Sequence, residues 1–397
     1  MSKERIDFNE RIDRKNTSSI KYDFAVQRGK PEGILPLWVA DMDFKAPQPV
    51  LDALKNRVEH GIFGYSEGKE EYFEAVKDWM KRRHGWSVER NWLVKTPGVV
   101  FALAMAVKAY TKPGDGVMIQ QPVYYPFSEV IEDNGRKIVD NTLYLGEDGI
   151  YHMDLEDFEK KAAENQVKLF FLCSPHNPVG RVWTKEELTQ LGEICERLDI
   201  IVVSDEIHQD FVFKGEHQVF AAISEALKNR TITCTAPSKT FNVAGLQISN
   251  IFISNPELKR KFKKEIAAAG YSQINALGLT ACEAAYRYGE DWHDQLMDYL
   301  KENIQFVRTY LEHSLPEIKL IEPDGTYLIW LDFRGLGLSE QDREELIVKK
   351  AGLWLDSGAM FGPVGEGFER INIACPRTLI IEALDKLRTA IKNLQNL

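Results

Sequence analysis

The sequence has no Cys-x-x-Cys pair, no apolar run long enough to cross a bilayer, no internal repeat and no low-complexity tract. Each absence removes a class of protein. The five cysteines, at positions 173, 195, 234, 282 and 375, are odd in number and scattered. They read as separate thiols in a reducing compartment, not as a disulfide frame or a zinc site. A spanning helix needs roughly 20 consecutive apolar residues, and none is present. The N-terminus, Met1-Ser2-Lys3-Glu4-Arg5-Ile6-Asp7, is charged where a signal peptide is apolar. The expectation is a soluble cytoplasmic protein. Basic residues are also in the minority, 50 Lys and Arg against 60 Asp and Glu, for a formal charge of -10. Nucleic acid as the main partner is disfavoured, because a phosphate backbone recruits a basic face. A small anionic ligand needs only a local site and stays open.

What remains is a globular composition. The 397 residues are 44% hydrophobic and 28% charged, enough to bury a large core in two to three domains. From about residue 47 to 290, short apolar runs alternate with amphipathic segments. Gly116–Gln120, Lys168–Cys173, Ile200–Ser204 and Thr231–Thr235 are nearly unbroken by polar residues, as strands buried on both faces must be. Thr184-Lys185-Glu186-Glu187 is a capping box that opens one intervening helix. Alternating strand and helix predict a doubly wound, mostly parallel sheet. Beyond it the pattern predicts a helix over Asp291–Ser314, a strand over Thr326–Asp332 and a helix over Glu340–Gly352. A strand over Arg370–Ala374 and a helix over Leu379–Asn393 complete a smaller α+β domain. The first 45 residues carry turn signals and little periodicity, and are expected to lie on that smaller domain or on a partner chain.

Open α/β sheets bind ligands in the loops that follow their strands. Four such loops carry chemistry. In Thr235-Ala236-Pro237-Ser238-Lys239-Thr240-Phe241-Asn242 a lysine follows a buried strand directly. Most lysines are solvated surface charges, but one held in a partly apolar pocket can lose its proton and act as a Schiff-base nucleophile. In Val202-Val203-Ser204-Asp205-Glu206-Ile207-His208 an acid ends a very apolar strand, either as a helix cap or as a buried carboxylate paired with a cation. Asp205, His208, Asp210 and His217 match no metal-binding spacing, so no metal is expected. Ser174-Pro175-His176-Asn177-Pro178-Val179-Gly180 is a rigid turn that would fix the Asn177 amide at a sheet edge, with one or both Pro bonds open to being cis. In Thr96-Pro97-Gly98-Val99-Val100 a glycine opens an apolar helix whose free amides suit a phosphate, without the glycines and lysine of a P-loop. Gly335-Leu336-Gly337 is too short to be a dinucleotide fingerprint.

Taken singly, each loop has an ordinary structural explanation. Their order is harder to produce by chance: glycine helix start, Asn in a Pro-rich turn, Asp, then Lys 34 positions later. With Trp38-Val39-Ala40-Asp41-Met42-Asp43-Phe44, Gly64-Tyr65, His176 to Arg181, Ser204 to His208, Ser238 to Asn242 and Phe368-Glu369-Arg370-Ile371-Asn372, the chain resembles the fold-type I pyridoxal-phosphate (PLP) enzymes of the aspartate-aminotransferase superfamily. Within them it is most similar to the MalY/PatB-type cystathionine β-lyases. The resemblance covers nearly the whole chain.

That resemblance implies a PLP-dependent transferase fold (type I), α/β, with a large domain over residues 48–288 and a small domain formed by 1–47 and 289–397. It implies that Lys239 forms the Schiff base with PLP and is the catalytic base. Asp205 would bind the pyridine nitrogen and Asn177 the phenolic oxygen, which His208 would also approach, at a position where transaminases often have a Tyr. Tyr124 would stack on the ring in preference to Tyr125. The amides of Val99 and Val100, with Ser238, would hold the phosphate, and Tyr65 would reach it from the other subunit of a homodimer with a shared active site. Arg370 would clamp the substrate carboxylate through a two-pronged contact, beside Asn177 and Tyr65, with Arg377 a second candidate. Trp38, Phe44 and Tyr125 are candidate pocket walls.

The implied reaction is β-elimination from L-cystathionine or related cysteine S-conjugates to a thiol, pyruvate and ammonia. Its rivals are a PLP aminotransferase of amino or aromatic acids, a regulatory binding protein on the same scaffold, and a metal-dependent hydrolase built on Asp205 and His208. One position departs from the transaminase pattern. Eight residues after the lysine, where many transaminases carry an Arg against the phosphate, this chain has Gln247. That favours the lyase branch and leaves the phosphate's counter-charge unassigned.

Overall fold

A computed structural model describes residues 5–395 of the chain. Its centre is a seven-stranded sheet in the order Leu93–Thr96, Ser249–Phe252, Thr231–Thr235, Ile201–Asp205, Leu169–Cys173, Gly116–Ile119 and Lys137–Asp140. Every neighbouring pair is parallel except those made by Ser249–Phe252, which runs against both its neighbours. The inner strands bury both faces, as their unbroken apolar runs require. Val117, Ile119, Phe171 and Val203 point into one core, and Met118, Phe170, Leu172 and Val202 into another. This is the period-two alternation of a strand, with both sets apolar. Helices Val99–Tyr110 and Pro256–Ala268 contribute Ala102, Leu103, Leu258 and Phe262 to the first core. Leu155–Glu164 and Lys185–Arg197 contribute Phe158, Leu188 and Leu191 to the second. The expected doubly wound, mostly parallel sheet is the observed one.

A second, antiparallel sheet joins Lys319–Ile321, Leu328–Asp332, Phe368–Asn372 and Asp356–Ser357 in that order. The 25-residue helix Glu290–Ser314 lies with it. Trp292, Leu296, Leu300, Ile304, Val307 and Leu311 fall three or four apart and are buried, the stripe of a helix packed on one side. Several boundaries differ from the sequence reading. The strand expected from Thr326 starts at Leu328, because Thr326 sits at φ 65, outside extended backbone. The strand expected over Arg370–Ala374 runs instead from Phe368 to Asn372. Beyond it the Ile373 amide still bonds the Tyr327 carbonyl, while the Ala374 carbonyl turns to the Asp43 amide. The helix expected over Glu340–Gly352 is α-helical only to Glu344, then widens into a π-helical turn over Glu345–Lys350.

The N-terminal segment lies against the smaller sheet's layer. Leu35–Pro36 pairs in parallel with Leu353–Trp354, and Phe8 packs edge-on against Phe44 and Trp292 at 5.0 and 5.7 Å. Lys21 is fully buried and donates to Asp43 at 2.7 Å, while Arg14 donates to Asp43 at 2.6 Å. Losing one partner of such a pair strands a buried charge, so the segment is tightly held. Among the described residues no helix is long and apolar enough to cross a membrane.

The helix Lys185–Arg197 opens with the capping box read from sequence: Thr184 Oγ1 accepts from the Glu187 amide at 3.2 Å, and Glu187 Oε2 from the Thr184 amide at 2.8 Å. Thr184→Ala is expected to cost about 1 kcal/mol and leave activity intact. Urea unfolding should show a lower midpoint at unchanged slope.

Candidate active site

Five segments converge where the sheet strands end. Thr96 leads through Pro97-Gly98 into the helix Val99–Tyr110, whose first amides have no side-chain cap and so are free for a ligand. A Cβ added at Gly98 would meet nothing within 4 Å, so there is room above the helix start. Ile119 leads to Tyr124 and Tyr125, which lie 5.4 Å apart by ring centroids. Cys173 leads into the Pro-rich turn, where Ser174-Pro175 and Asn177-Pro178 are both cis. The turn buries Asn177, whose amide donates to Cys173 Sγ and whose carbonyl accepts from the Tyr124 amide at 3.1 Å.

The strand Ile201–Asp205 delivers Asp205, and its parallel neighbour Thr231–Thr235 delivers Ser238 and Lys239 on the short helix Pro237–Thr240. Asp205 is buried and accepts one backbone bond, from Ile207 at 3.1 Å. No ion pair to it exists among the described residues. Burial pushes its carboxyl up from 3.8 to about 7, against the pull of nearby Lys239. The same desolvation, partly offset by Asp41, lowers the Lys239 amine from 10.5 to about 8. Lys239 Nζ donates to the Ala40 carbonyl at 3.2 Å. His208 is buried, its Nδ1 has no partner among the described residues, and burial beside Lys239 and Arg370 holds it well below the usual histidine range.

Arg370 comes from the second sheet. It donates from Nη1 to Asn177 Oδ1 at 3.1 Å and from Nη2 to the Trp38 carbonyl at 2.9 Å. It is ion-paired with Asp356, its register partner on the neighbouring strand. Among the described residues its Nε has no partner.

The structure thus brings Lys239, Asp205, Asn177, Tyr124, His208 and Arg370 together at the strand ends, near Val99, Val100 and Ser238. Tyr65 stands apart, 91% exposed. Arg377 is elsewhere, bonding Glu302 and Asn303. Phe44 faces Phe8 and Tyr299 in the core, so it does not wall the pocket. Gln247 is exposed at the end of the turn Ala244–Leu246. Asp210 and His217, weighed with Asp205 as metal ligands, bond His84 and Glu206 respectively.

Three contacts were not anticipated. Asp356 ends the apolar run Leu353-Trp354-Leu355, the same signal that singled out Asp205. The Tyr327 hydroxyl donates to the Ala40 carbonyl at 2.7 Å, with its ring 5.8 Å from His208. Asp210 accepts from Thr240, the residue after Lys239, at 2.6 Å.

The donor set fits the group expected from the resemblance. A buried carboxylate lacks a cation, and a pyridinium nitrogen would supply one. An amine with a lowered pKa suits an aldehyde. Uncapped helix amides beside a serine hydroxyl suit a phosphate. The fold and these residues define a lysine-centred site of the fold-type I kind. Residues 33–387 match the family described as aminotransferase class I and II, and the chain belongs to that family. It is 44% identical to cystathionine β-lyase PatB of Bacillus subtilis, covering 97% of this chain and all of that one. It is 32% identical to protein MalY of Escherichia coli, covering 97% and 99%. Among solved structures it matches cystalysin of Treponema denticola, which contains pyridoxal 5'-phosphate, with a TM-score of 0.94 and 43% identity over 98% of this chain and 99% of that one.

The raised Asp205 carboxyl makes a prediction for protein prepared without cofactor. The folded chain binds this proton more tightly than the unfolded chain, so the cost of burying the charge is absent below pH 3.8 and complete above about pH 7. Asp205→Asn, which carries no charge, should be more stable than the parent at pH 8 by up to about 4 kcal/mol, and the gap should close toward pH 4. Urea unfolding at both pH values measures it. A gap independent of pH would locate the effect elsewhere.

Proposed function

We propose that this chain is a PLP-dependent carbon–sulfur β-lyase that converts L-cystathionine or related cysteine S-conjugates, with water, to a thiol, pyruvate and ammonia. One observation carries the reading: Asp205, a buried carboxylate with no ion pair among the described residues, ends the strand beside the one that delivers Lys239, whose amine is lowered to about 8. PLP, when bound, supplies an electron sink for negative charge at the substrate Cα.

The chain supplies the rest. Lys239 would carry the cofactor, and Asp205 would keep its ring nitrogen protonated. Asn177 and His208 would face its phenolic oxygen and Tyr124 its ring. Val99, Val100 and Ser238 would hold its phosphate. Arg370, oriented by its ion pair with Asp356, would take the substrate's α-carboxylate beside Asn177. The Lys239 amine removes the Cα proton. With a pKa near 8, a useful fraction of it is unprotonated close to neutral pH. The Cβ–S electrons then leave with the thiol, and the released enamine hydrolyses to pyruvate and ammonia.

A homodimer completes this reading. Ile62, Phe63 and Tyr65 are all largely exposed on one irregular stretch, an apolar surface suited to a second copy. Tyr65 would reach the partner's phosphate site from there. The separate seven- and four-stranded sheets support the division into residues 48–288 and 1–47 with 289–397.

Purified protein given PLP and L-cystathionine, with no keto acid, should release thiol and pyruvate in equal amounts over many turnovers. Lys239→Ala should lose both that turnover and the visible absorption of the lysine-bound cofactor. No thiol, with conversion of one cofactor equivalent, would replace this reading with an aminotransferase. Sedimentation velocity should show a dimer; an active strict monomer would remove Tyr65 from the site.

A further inference from the structure

A single backbone oxygen receives the Lys239 amine. Nζ donates to the Ala40 carbonyl at 3.2 Å, and among the described residues it makes no other hydrogen bond and no ion pair. The Tyr327 hydroxyl donates to the same oxygen at 2.7 Å. A carbonyl oxygen has two lone pairs, so these two donors fill it. They also compete, because electron density drawn toward the hydroxyl proton is lost to the amine.

The carbonyl and the hydroxyl are both held in place. The carbonyls of Val39 and Asp41, on either side of Ala40, accept from the Asn372 side-chain amide at 2.6 and 2.7 Å. Tyr327 is fully buried. Its ring stands edge-on to Phe211 at 4.7 Å and to His208 at 5.8 Å, and its carbonyl accepts from the Ile373 amide at 3.0 Å. Burial pushes its hydroxyl up, away from ionisation, so it stays a donor. The competition for the Ala40 oxygen is thus built in from the second sheet's layer.

An ammonium carries three donors and a charge, so it loses more than a neutral amine when its acceptor is shared. We propose that Tyr327 is a positioning residue whose hydroxyl, by occupying the Ala40 carbonyl, weakens the hold of that oxygen on the Lys239 ammonium and so keeps the amine available as base and nucleophile. The inference rests on the reading of Lys239 as the cofactor-binding lysine. The other charged or titratable groups facing Nζ are Asp41 beside Ala40, Asp205 at its strand end, Arg370 from the second sheet and His208. All four stay the same when the hydroxyl alone is removed.

Tyr327→Phe removes it and keeps the ring. The Ala40 carbonyl retains Lys239 as its donor, so no buried group is left unpaired and the variant should fold. Cofactor-free protein is mixed with pyridoxal, which has the aldehyde but no phosphate. The rate at which lysine-bound absorption appears, above the background of Lys239→Ala, is followed from about pH 6 to about pH 10. Only the unprotonated amine attacks, and the aldehyde's own pH dependence cancels in the ratio of variant to parent. With the parent midpoint near pH 8, that ratio should approach one at the alkaline end. It should fall to about one third at neutral pH and below, an upward shift of about half a pH unit. A ratio that is the same at every pH, or that rises as the pH falls, would overturn the role of Tyr327 while the Lys239 reading stands. Absorption that appears in Lys239→Ala at the parent's rate would overturn the Lys239 reading, and the role of Tyr327 with it.

Discussion

The site depends on how the backbone of Trp38–Met42 satisfies its carbonyls. The segment has no regular strand or helix of its own, and buried carbonyls without partners are costly. The Trp38 carbonyl accepts from Arg370, the Val39 and Asp41 carbonyls from Asn372, and the Ala40 carbonyl from both Lys239 and Tyr327. Met42 closes the set by bonding Asn242 in both directions. Side chains from both sheets' layers thus meet on one stretch of main chain. Asp41 and Asp43, at its far end, hold Arg14 and the buried Lys21. The N-terminal segment is for this reason part of the site's frame.

Desolvation sets the charges at this junction, and partners decide where each one ends. Asp205 and Asp210 are five residues apart and both buried, yet their carboxyls move in opposite directions. Asp210 accepts from His84, Trp79 and Thr240, and stays well below the usual range. Asp205 has one backbone donor and rises. The first is a structural anchor under the helix that carries Lys239. The second lies at a strand end, and on the function proposed above it would meet the cationic ring nitrogen of the cofactor there.

Much of this was readable along the chain. Lys239, Asp205 and Asn177 each follow an apolar strand within a few residues, so local pattern alone puts them at one sheet edge. The second sheet was less legible. Its strand Phe368–Asn372 begins two residues before its expected start, because its bounds are set by pairing with Leu328–Asp332 and Asp356–Ser357. Phe44 shows the opposite error. An aromatic next to a site motif looks like a pocket wall, but it turns away to Phe8 and Tyr299. Asp356 carried a usable signal, an acid after an apolar run.

Alternation of apolar runs and amphipathic helices was enough to specify the doubly wound sheet, because strand and helix periods are local properties of the chain. The ordered motifs were enough to name the family. Folding alone decided which charges meet. Arg370 touches residues 193 and 332 positions away, and whether it is free, half-neutralised by Asp356 or aimed at a ligand depends on strand register and burial. Those are relations between distant segments, and no periodicity along the chain encodes them.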